Sequence, residues 1–95
     1  MTLRLSPRAI ADLDRVYLAS ARRFGIRQAD IYQRGLRDTL DAIAAFPQLA
    51  HERQDLRRKV RTQPYESHLV IYLIEEDGVL VVRIVHAHQN LRRIL

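Results

Sequence analysis

The sequence predicts an α+β protein in which a helical hairpin packs on a small antiparallel sheet. In the first half of the chain, two successive stretches carry apolar residues three or four positions apart, which is the spacing of an amphipathic helix. In the second half, runs of β-branched and apolar residues are separated by turn residues, as in β-strands. A short alternating stretch precedes the first helix, so the predicted order of elements is β-α-α-β-β-β.

The opening residues predict the first strand and the first helix. Thr2 to Leu5 alternate polar and apolar side chains, which is typical of a short strand. Ser6 then suits the N-cap, and Pro7 suits the first helical position because an N–H there would have no partner within the helix. Gly25 can adopt the left-handed C-terminal cap, so the helix is predicted over about residues 7–24. Its apolar stripe consists of Ile10, Leu13, Val16 or Tyr17, Ser20 or Ala21, and Phe24.

The second helix follows almost at once. Phe46-Pro47 ends it, and only residues 25–27 link it to the first helix. So short a link places the two helices antiparallel, with both apolar stripes turned toward a common third surface. The second stripe consists of Ala29, Tyr32, Leu36, Leu40 and Ile43.

Three antiparallel strands are predicted to form that surface. Residues 48–56 are a polar connector, and Glu76-Asp77-Gly78 marks a hairpin turn between the last two strands. The middle strand is almost continuously apolar, as expected of a central strand. A short turn is expected over residues 89–95. The strands are predicted around Val60, at Leu69–Ile74 and at Val79–Val85.

Length and composition predict one domain over residues 1–95, since a chain of 95 residues holds one hydrophobic core. Hydrophobic residues make up 47% and charged residues 28%, which excludes disorder driven by high charge. The absence of cysteine excludes a disulfide scaffold and thiolate metal sites, and it indicates a reducing cytosol. Charged side chains interrupt the first 20 residues, so no signal peptide or membrane span is predicted there. The three glycines form no phosphate-binding loop, and no cofactor is expected.

Basic residues are numerous and unevenly distributed. The formal net charge is +5, and fifteen of the sixteen basic residues are arginine. Either codon usage in a GC-rich genome or a need for planar guanidinium groups that bind phosphate or carboxylate explains this bias. The densest segment, residues 53–61, either binds an anionic partner or is a solvated edge strand that its charge keeps from aggregating. If it is a strand, Lys59 and Arg61 share one face while Arg58 and Val60 share the other. Its charged residues are Arg53, Arg57, Arg58, Lys59 and Arg61, against Asp55.

A second basic group near the C-terminus consists of Arg83, His86, His88, Arg92 and Arg93. His86 and His88 are two positions apart, so they are expected on one face of the last strand. A metal site needs a third ligand, which the sequence does not offer, and no metal is predicted. Two roles remain open for His86. It is either a general acid for phosphodiester cleavage or, as we favour, a partly buried side chain that bonds a backbone carbonyl and fixes the strand to the C-terminal turn.

Several short motifs lie in order along the chain: Leu5-Ser6-Pro7 opens the first helix, Ala11-Asp12-Leu13 follows, Phe46-Pro47-Gln48-Leu49 closes the second helix, and Tyr72 precedes Val85-His86. In this order and spacing they resemble the ParE branch of the ParE/RelE family of bacterial toxins, over nearly the whole chain. His88 and Asn90 stand where the ParE pattern usually has arginine and an acidic residue. This departure concerns how the target is engaged.

The resemblance implies the toxin of a type II toxin–antitoxin system. Its partner would be a ParD-like antitoxin whose acidic C-terminal segment wraps the toxin, while the antitoxin's N-terminal domain binds operator DNA. In the ParE branch the implied target is DNA gyrase, which is inhibited by direct binding. In the RelE branch the toxin cuts mRNA on the ribosome.

The residues favour the ParE branch. In a RelE-type ribonuclease, Arg61 and Arg83 would hold the phosphate and His86 would act as the acid. The chain has no tyrosine after Tyr72, and its C-terminus offers cations without an obvious base, so we expect a gyrase inhibitor rather than an enzyme. The residues expected to bind the target are Arg57, Arg58, Lys59, Arg61, Arg83, His86, His88, Arg92 and Arg93.

Charge alone suggests a third function, a nucleic-acid-binding module without catalytic activity. Such modules usually stack bases on exposed aromatic side chains, whereas Phe24, Phe46 and the tyrosines are expected to belong mostly to the core. A purely electrostatic contact weakens steeply as salt rises, so binding that survived physiological salt would favour this function.

Overall fold

Three helices and four strands follow one another along residues 2–95, the part of the chain that the computed structural model describes. The α+β class and the predicted order are confirmed, and the expected C-terminal turn is a short helix. Within residues 2–95, none of the helices has the length and hydrophobicity that crossing a bilayer requires. The strands are β1 (Thr2–Leu5), β2 (Arg61–Tyr65), β3 (His68–Glu75) and β4 (Gly78–His86). The helices are α1 (Pro7–Phe24), α2 (Ile26–Ala45) and α3 (Leu91–Ile94).

The four strands form one sheet in the order β1-β4-β3-β2. β2, β3 and β4 pair antiparallel, as predicted. The prediction of a wholly antiparallel sheet is wrong for β1, which pairs parallel with β4 and places Leu5 opposite Val81. The alternation of polar and apolar residues shows which side chains face a core, but it carries no information on strand direction. Because the whole helical hairpin separates β1 from the other strands, no tight turn imposes an antiparallel arrangement on it.

An extra residue interrupts the pairing of β4 with β3. Ile71 lies opposite Arg83 and Tyr72 lies opposite Val81, which leaves Val82 without a partner on β3. Such a bulge shifts the alternation of the strand that contains it. The residues of β4 after the bulge therefore face the side opposite to the one that strict alternation would assign.

Ser6 fixes the start of α1 to this edge of β4. Its backbone N–H donates to the carbonyl of Val81 at 2.9 Å, and its Oγ donates to the carbonyl of Val82 at 2.7 Å. The same Oγ accepts from the backbone N–H of Ala9 at 3.0 Å, so the predicted N-cap is confirmed, with Pro7 following it. One serine thus ends β1, begins α1 and occupies a carbonyl at the bulge.

The buried face of α1 differs from the predicted stripe, whereas that of α2 follows it. Ile10 is 50% exposed and Phe24 is 63% exposed, and Phe46 after α2 is 64% exposed, so the placement of these residues in the core is wrong. Periodicity favours the largest apolar residues, but α1 turns small side chains and one carboxylate inward. The buried residues of α1 are Ala9, Asp12 and Val16. Those of α2 are Ala29, Leu36, Leu40 and Ile43.

Both faces of the sheet are covered. α1 and α2 cover one face, where Leu36, Val70 and Tyr72 are fully buried. On the other face a second, smaller core lies beneath α3 and the connector that precedes β2. Only the first of these layers was predicted from the sequence. The second core consists of Val60, Ile71, Val82, Val85 and Leu91, with Leu56 among the residues packed against it.

Candidate functional site

Residues 53–60 form a closed loop, which we call the basic loop. The backbone N–H of Arg53 donates to the carbonyl of Val60 at 2.7 Å and joins its two ends. β2 begins only at Arg61, so the strand predicted around Val60 exists but lies later in the chain, and Val60 itself belongs to the loop. The shared face predicted for Lys59 and Arg61 is wrong, because residues outside a strand do not alternate. Val60 is fully buried in the second core, which accounts for an apolar residue in this charged segment.

Three exposed cations dominate the basic loop. Arg53 is not among them, because its Nε and Nη2 each lie 2.7 Å from an oxygen of Asp55. These hydrogen bonds lower the pKa of Asp55 to about 2, so the carboxylate stays charged and offsets Arg53. Within the described part of the chain, no hydrogen bond or ion pair engages the exposed side chains of Arg57, Arg58 and Lys59.

α3 brings part of the second predicted basic group to the same side of the sheet. Leu56 of the basic loop and Leu91 of α3 belong to the same core. Arg92 lines one pocket with Asp55, and its charge acts on that carboxylate. Arg93 lines a different pocket, against α1. Two distant segments therefore meet, and we call the resulting surface the basic face; it consists of Arg57, Arg58, Lys59 and Arg92.

Arg61 and Arg83, the two cations that a ribonuclease would use, are held by other groups of the protein. Nη1 of Arg61 donates to the carbonyl of Ala50 at 2.6 Å. Nε and Nη2 of Arg83 donate to the carboxylate of Asp12 at 2.8 and 3.1 Å. The residues of β3 that lie opposite the two arginines are adjacent, so the arginines leave opposite faces of the sheet. The structure does not bring them together in one site.

Asp12 is a buried charge that the sequence analysis did not single out for any role. Its Oδ2 also accepts from the backbone N–H of Ile84 at 2.9 Å, and Nη1 of Arg15 lies 2.9 Å from Oδ1. Burial raises the pKa of Asp12, but the hydrogen bonds from Arg83 and Ile84 outweigh burial and hold the pKa below its ordinary value. The carboxylate therefore remains charged and fixes α1 to β4.

His86 and His88 lie together at the end of β4, with ring centres 5.0 Å apart. The prediction that His86 is partly buried and bonds a backbone carbonyl is wrong. Its ring is exposed, and its Nδ1 accepts from the backbone N–H of His88 at 3.2 Å. β4 ends at His86, which places the ring at the rim of the sheet, 5.6 Å from the ring of His68 on β3. Among residues 2–95, no three metal-ligating side chains are grouped so as to hold a metal ion.

A cleft of about 520 Å³ opens between the second half of α1, the start of α2 and the rim of the sheet. Its volume is in the range of ligand-binding sites. Arg23 gives it a fixed positive charge, and within residues 2–95 no acidic side chain lines it. The cleft could not be recognised in the sequence, because its residues come from four separate elements. They include Val16, Ala19, Phe24, Tyr32, His68 and His86.

Comparison with known proteins identifies the family. Residues 3–91 match the family model described as the ParE toxin of a type II toxin–antitoxin system, parDE. This chain belongs to the ParE toxin family. The resemblance inferred from the motifs is thereby confirmed.

Individual relatives agree with the family match. Toxin ParE1 of Caulobacter vibrioides is 37% identical over 89 residues, which cover 94% of this chain and 92% of that toxin. Toxin ParE1 of Mycobacterium tuberculosis is 32% identical over 90 residues, covering 94% and 92% of the two chains. A solved structure of the chromosomal ParDE system from P. aeruginosa shares the fold, with a TM-score of 0.80 at 19% identity over 90% of this chain and 95% of that one.

The ParE-like motifs have structural roles in this chain. Ser6 and Asp12, from the first two motifs, attach α1 to β4 through the contacts described above. The hydroxyl of Tyr72 donates to the carbonyl of Pro47 at 2.6 Å, so a fully buried tyrosine anchors the segment that follows α2. These motif residues therefore hold the elements of the fold together.

His68 connects the cleft of this ParE protein to α2. Its Nδ1 lies 2.7 Å from the hydroxyl oxygen of Tyr32. A neutral imidazole with its proton on Nε2 accepts this hydrogen bond from the tyrosine. Burial lowers the pKa of His68, and the charge of His86 lowers it further.

The lowered pKa of His68 predicts a loss of stability in weak acid. The unfolded chain binds a proton near the ordinary pKa of 6.5, whereas the folded chain binds it only at lower pH, so protonation favours unfolding. The free energy of unfolding should fall as the pH drops from about 7 to about 5. It should fall less in His68→Asn, which keeps an acceptor for Tyr32 but does not titrate. Urea denaturation at each pH measures the effect.

The control is His51→Asn, which removes an exposed histidine and should keep the wild-type pH dependence. Equal slopes in wild type and in His68→Asn would contradict the prediction.

Proposed function

We propose that this protein is the toxin of a type II toxin–antitoxin pair, that it inhibits DNA gyrase by direct binding, and that a ParD-like antitoxin neutralises it. The ParE1 toxins among its relatives support the toxin assignment. One observation carries the choice of binding over cleavage: Arg61 and Arg83 are both held by groups of the protein itself.

Cleavage of RNA requires a proton donor within hydrogen-bond reach of the reacting phosphate, with cations around that phosphate. His86 lies at the rim of the sheet, with His68 and His88 as its ring neighbours. Arg61 and Arg83 leave opposite faces and donate to a backbone carbonyl and a buried carboxylate. Each arginine is therefore oriented by a group of the protein, and the two do not converge on one phosphate. Binding without cleavage is the function that this geometry favours.

We assign the gyrase contact to the basic face. Its cations are exposed, and those of the basic loop make no ion pair within residues 2–95. They lie on the side of the sheet opposite to α1 and α2, because the loop and α3 cover the second core. Exposed charges of this kind mainly speed association and select a partner of opposite charge. Of the other predicted residues, Arg61 and Arg83 are held in internal contacts, while His86 and His88 lie at the rim near the cleft.

We assign the antitoxin contact to the cleft. Apolar side chains such as Val16 and Phe24 line it together with Arg23, which suits an acidic segment that carries an apolar anchor. A net charge of +5 attracts such a segment over a distance. A segment that folds as it binds can cover a large part of so small a domain. Operator DNA would be bound by the antitoxin alone, and the toxin would act in the cytoplasm without a cofactor.

A supercoiling assay tests the gyrase assignment. Purified protein should inhibit DNA supercoiling by gyrase in proportion to its concentration. Loss of the basic-loop cations should raise the concentration for half-inhibition at least about tenfold, because several charged contacts are removed together. The basic-loop variant carries alanine in place of Arg57, Arg58 and Lys59. A matched control carries alanine at three exposed helix positions, Arg22, Arg27 and Arg37, and should inhibit as the wild type does.

Two results would contradict the proposal. Folded wild-type protein that leaves supercoiling intact at every stoichiometry would remove gyrase as the target. Cuts in translated mRNA, seen by primer extension and abolished by His86→Ala, would establish the ribosome-dependent ribonuclease instead.

A further inference from the structure

Four arginines from three elements gather around Asp12 in a second pocket, of about 440 Å³, lined by α1, β4 and α3. Arg8 and Arg15 come from α1, while Arg83 comes from β4 and Arg93 from α3. We call this the arginine pocket. Its lining is completed by Ala11 and Ile94.

The arginine pocket carries an excess of positive charge. Four guanidinium groups face one carboxylate, so the lining has a net charge of +3. Asp12 already binds Arg83 and Arg15. Arg8 and Arg93 are exposed, and within residues 2–95 their side chains make no hydrogen bond or ion pair. A guanidinium cannot lose its proton at physiological pH, so the excess positive charge of the pocket can be balanced only by an anion.

The base of the arginine pocket is rigid. The carboxylate of Asp12 is 2% exposed, and the Arg83 side chain is 16% exposed. Their two hydrogen bonds hold the Arg83 guanidinium in one plane. Exposed arginines alone would attract an anion only weakly, since water screens their charge. Within residues 2–95, Nη1 of Arg83 makes no hydrogen bond, so this fixed guanidinium can donate to an anion while it keeps its bonds to Asp12.

We infer that the arginine pocket binds a phosphate group, supplied either by a nucleic-acid backbone or by a free phosphate or nucleotide. Apart from Ala11 and Ile94, every lining residue is charged, so an entering peptide would find little apolar surface for its side chains. A phosphate needs only N–H donors, and its several oxygens can each accept from an arginine. The cleft beside the second half of α1, which has mainly apolar walls, has the opposite character. This inference does not depend on gyrase being the target.

Calorimetric titration with pyrophosphate, and separately with a short DNA duplex, tests the inference at matched ionic strength. The double variant Arg8→Ala, Arg93→Ala removes two side chains that have no hydrogen-bond or ion-pair partner among residues 2–95, so the fold should be kept. Its affinity for pyrophosphate should fall at least about tenfold. The control Arg22→Ala, Arg27→Ala removes the same charge from the end of the helical hairpin and should change affinity less than about twofold. Circular dichroism checks that both variants are folded.

The two titrants distinguish the sources of phosphate. Loss of both pyrophosphate and duplex binding in the double variant indicates a site that accepts a nucleic-acid backbone, and loss of pyrophosphate binding alone indicates a free phosphate or nucleotide. Absence of pyrophosphate binding by the wild type would overturn the inference. Equal loss in the double variant and in the control would also overturn it, as would dependence on Arg8 and Arg93 for an oligoglutamate peptide but not for phosphate.

Discussion

Replacing Asp12 by alanine should lower the free energy of unfolding by about 3 to 5 kcal/mol, because it removes one partner of a buried ion pair. The carboxylate is 2% exposed and accepts four hydrogen bonds, from Arg83, Arg15 and the backbone of Ile84. Without it, the guanidinium of Arg83 and the N–H of Ile84 lose their acceptor away from water. A domain is stable by about 5 to 15 kcal/mol in total, so the variant should be close to the limit of folding.

Urea denaturation followed by circular dichroism measures this loss. Asp14→Ala is the control, because Asp14 is exposed on the same helix and its removal should change the free energy of unfolding by less than about 0.5 kcal/mol. If the two alanine variants were equally stable, the contacts of Asp12 would make no net contribution to the free energy of unfolding.

Acid gives a second readout of the same variant. The pKa of Asp12 is lower in the folded chain than its ordinary value of 3.8. Its contribution to stability is therefore complete above that value and is lost as the pH falls below it. Wild type and Asp12→Ala should differ most near neutral pH and become more alike in strong acid.

Elements with local causes could be predicted from the sequence. Ser6 and Pro7 mark the start of α1, and Gly25, with a φ of 91°, marks its end. The direction of β1 and the unpaired Val82 could not be predicted, because both arise from pairing between distant segments. Local residues specify where a strand lies, whereas its neighbours in space specify its direction and register.

Asp12 shows why the helix face was misassigned. It lies three residues after Ala9 and four before Val16, so the helical spacing places all three on one side. A carboxylate enters a core only where a cation meets it. That cation, Arg83, is 71 positions away along the chain, and the sequence alone does not show which arginine it would be.

The sequence shows which cations belong to the candidate sites, but it does not show how they are arranged in space. The cations of the basic loop were predicted to lie on an edge strand, and those of α3 were predicted to lie in a C-terminal turn. They meet because Leu56 packs against the core in which Leu91 is buried. The cleft could not be predicted, since it exists only where the ends of two helices and the rim of the sheet leave a space between them.

Replacing Ala19 by tryptophan should weaken binding of the antitoxin at least about 100-fold while leaving the toxin folded and able to inhibit gyrase. Ala19 lines the cleft and is exposed, so an indole at this position would occupy the space in which we place the antitoxin's apolar anchor. It would displace nothing in the core, and tryptophan costs an exposed helix position less than about 1 kcal/mol. Calorimetric titration with the proposed ParD-like antitoxin measures the affinity.

The matched control is Ala45→Trp, which places the same side chain at an exposed position at the end of α2 and should leave antitoxin binding unchanged. Because the cleft and the basic face lie on different sides of the sheet, Ala19→Trp should impair antitoxin binding without impairing gyrase inhibition. Cells that express Ala19→Trp should stay arrested even when the antitoxin is present, whereas the antitoxin should rescue cells that express Ala45→Trp. If the antitoxin rescued both equally, it would dock elsewhere on the toxin, and the cleft would have no part in neutralisation.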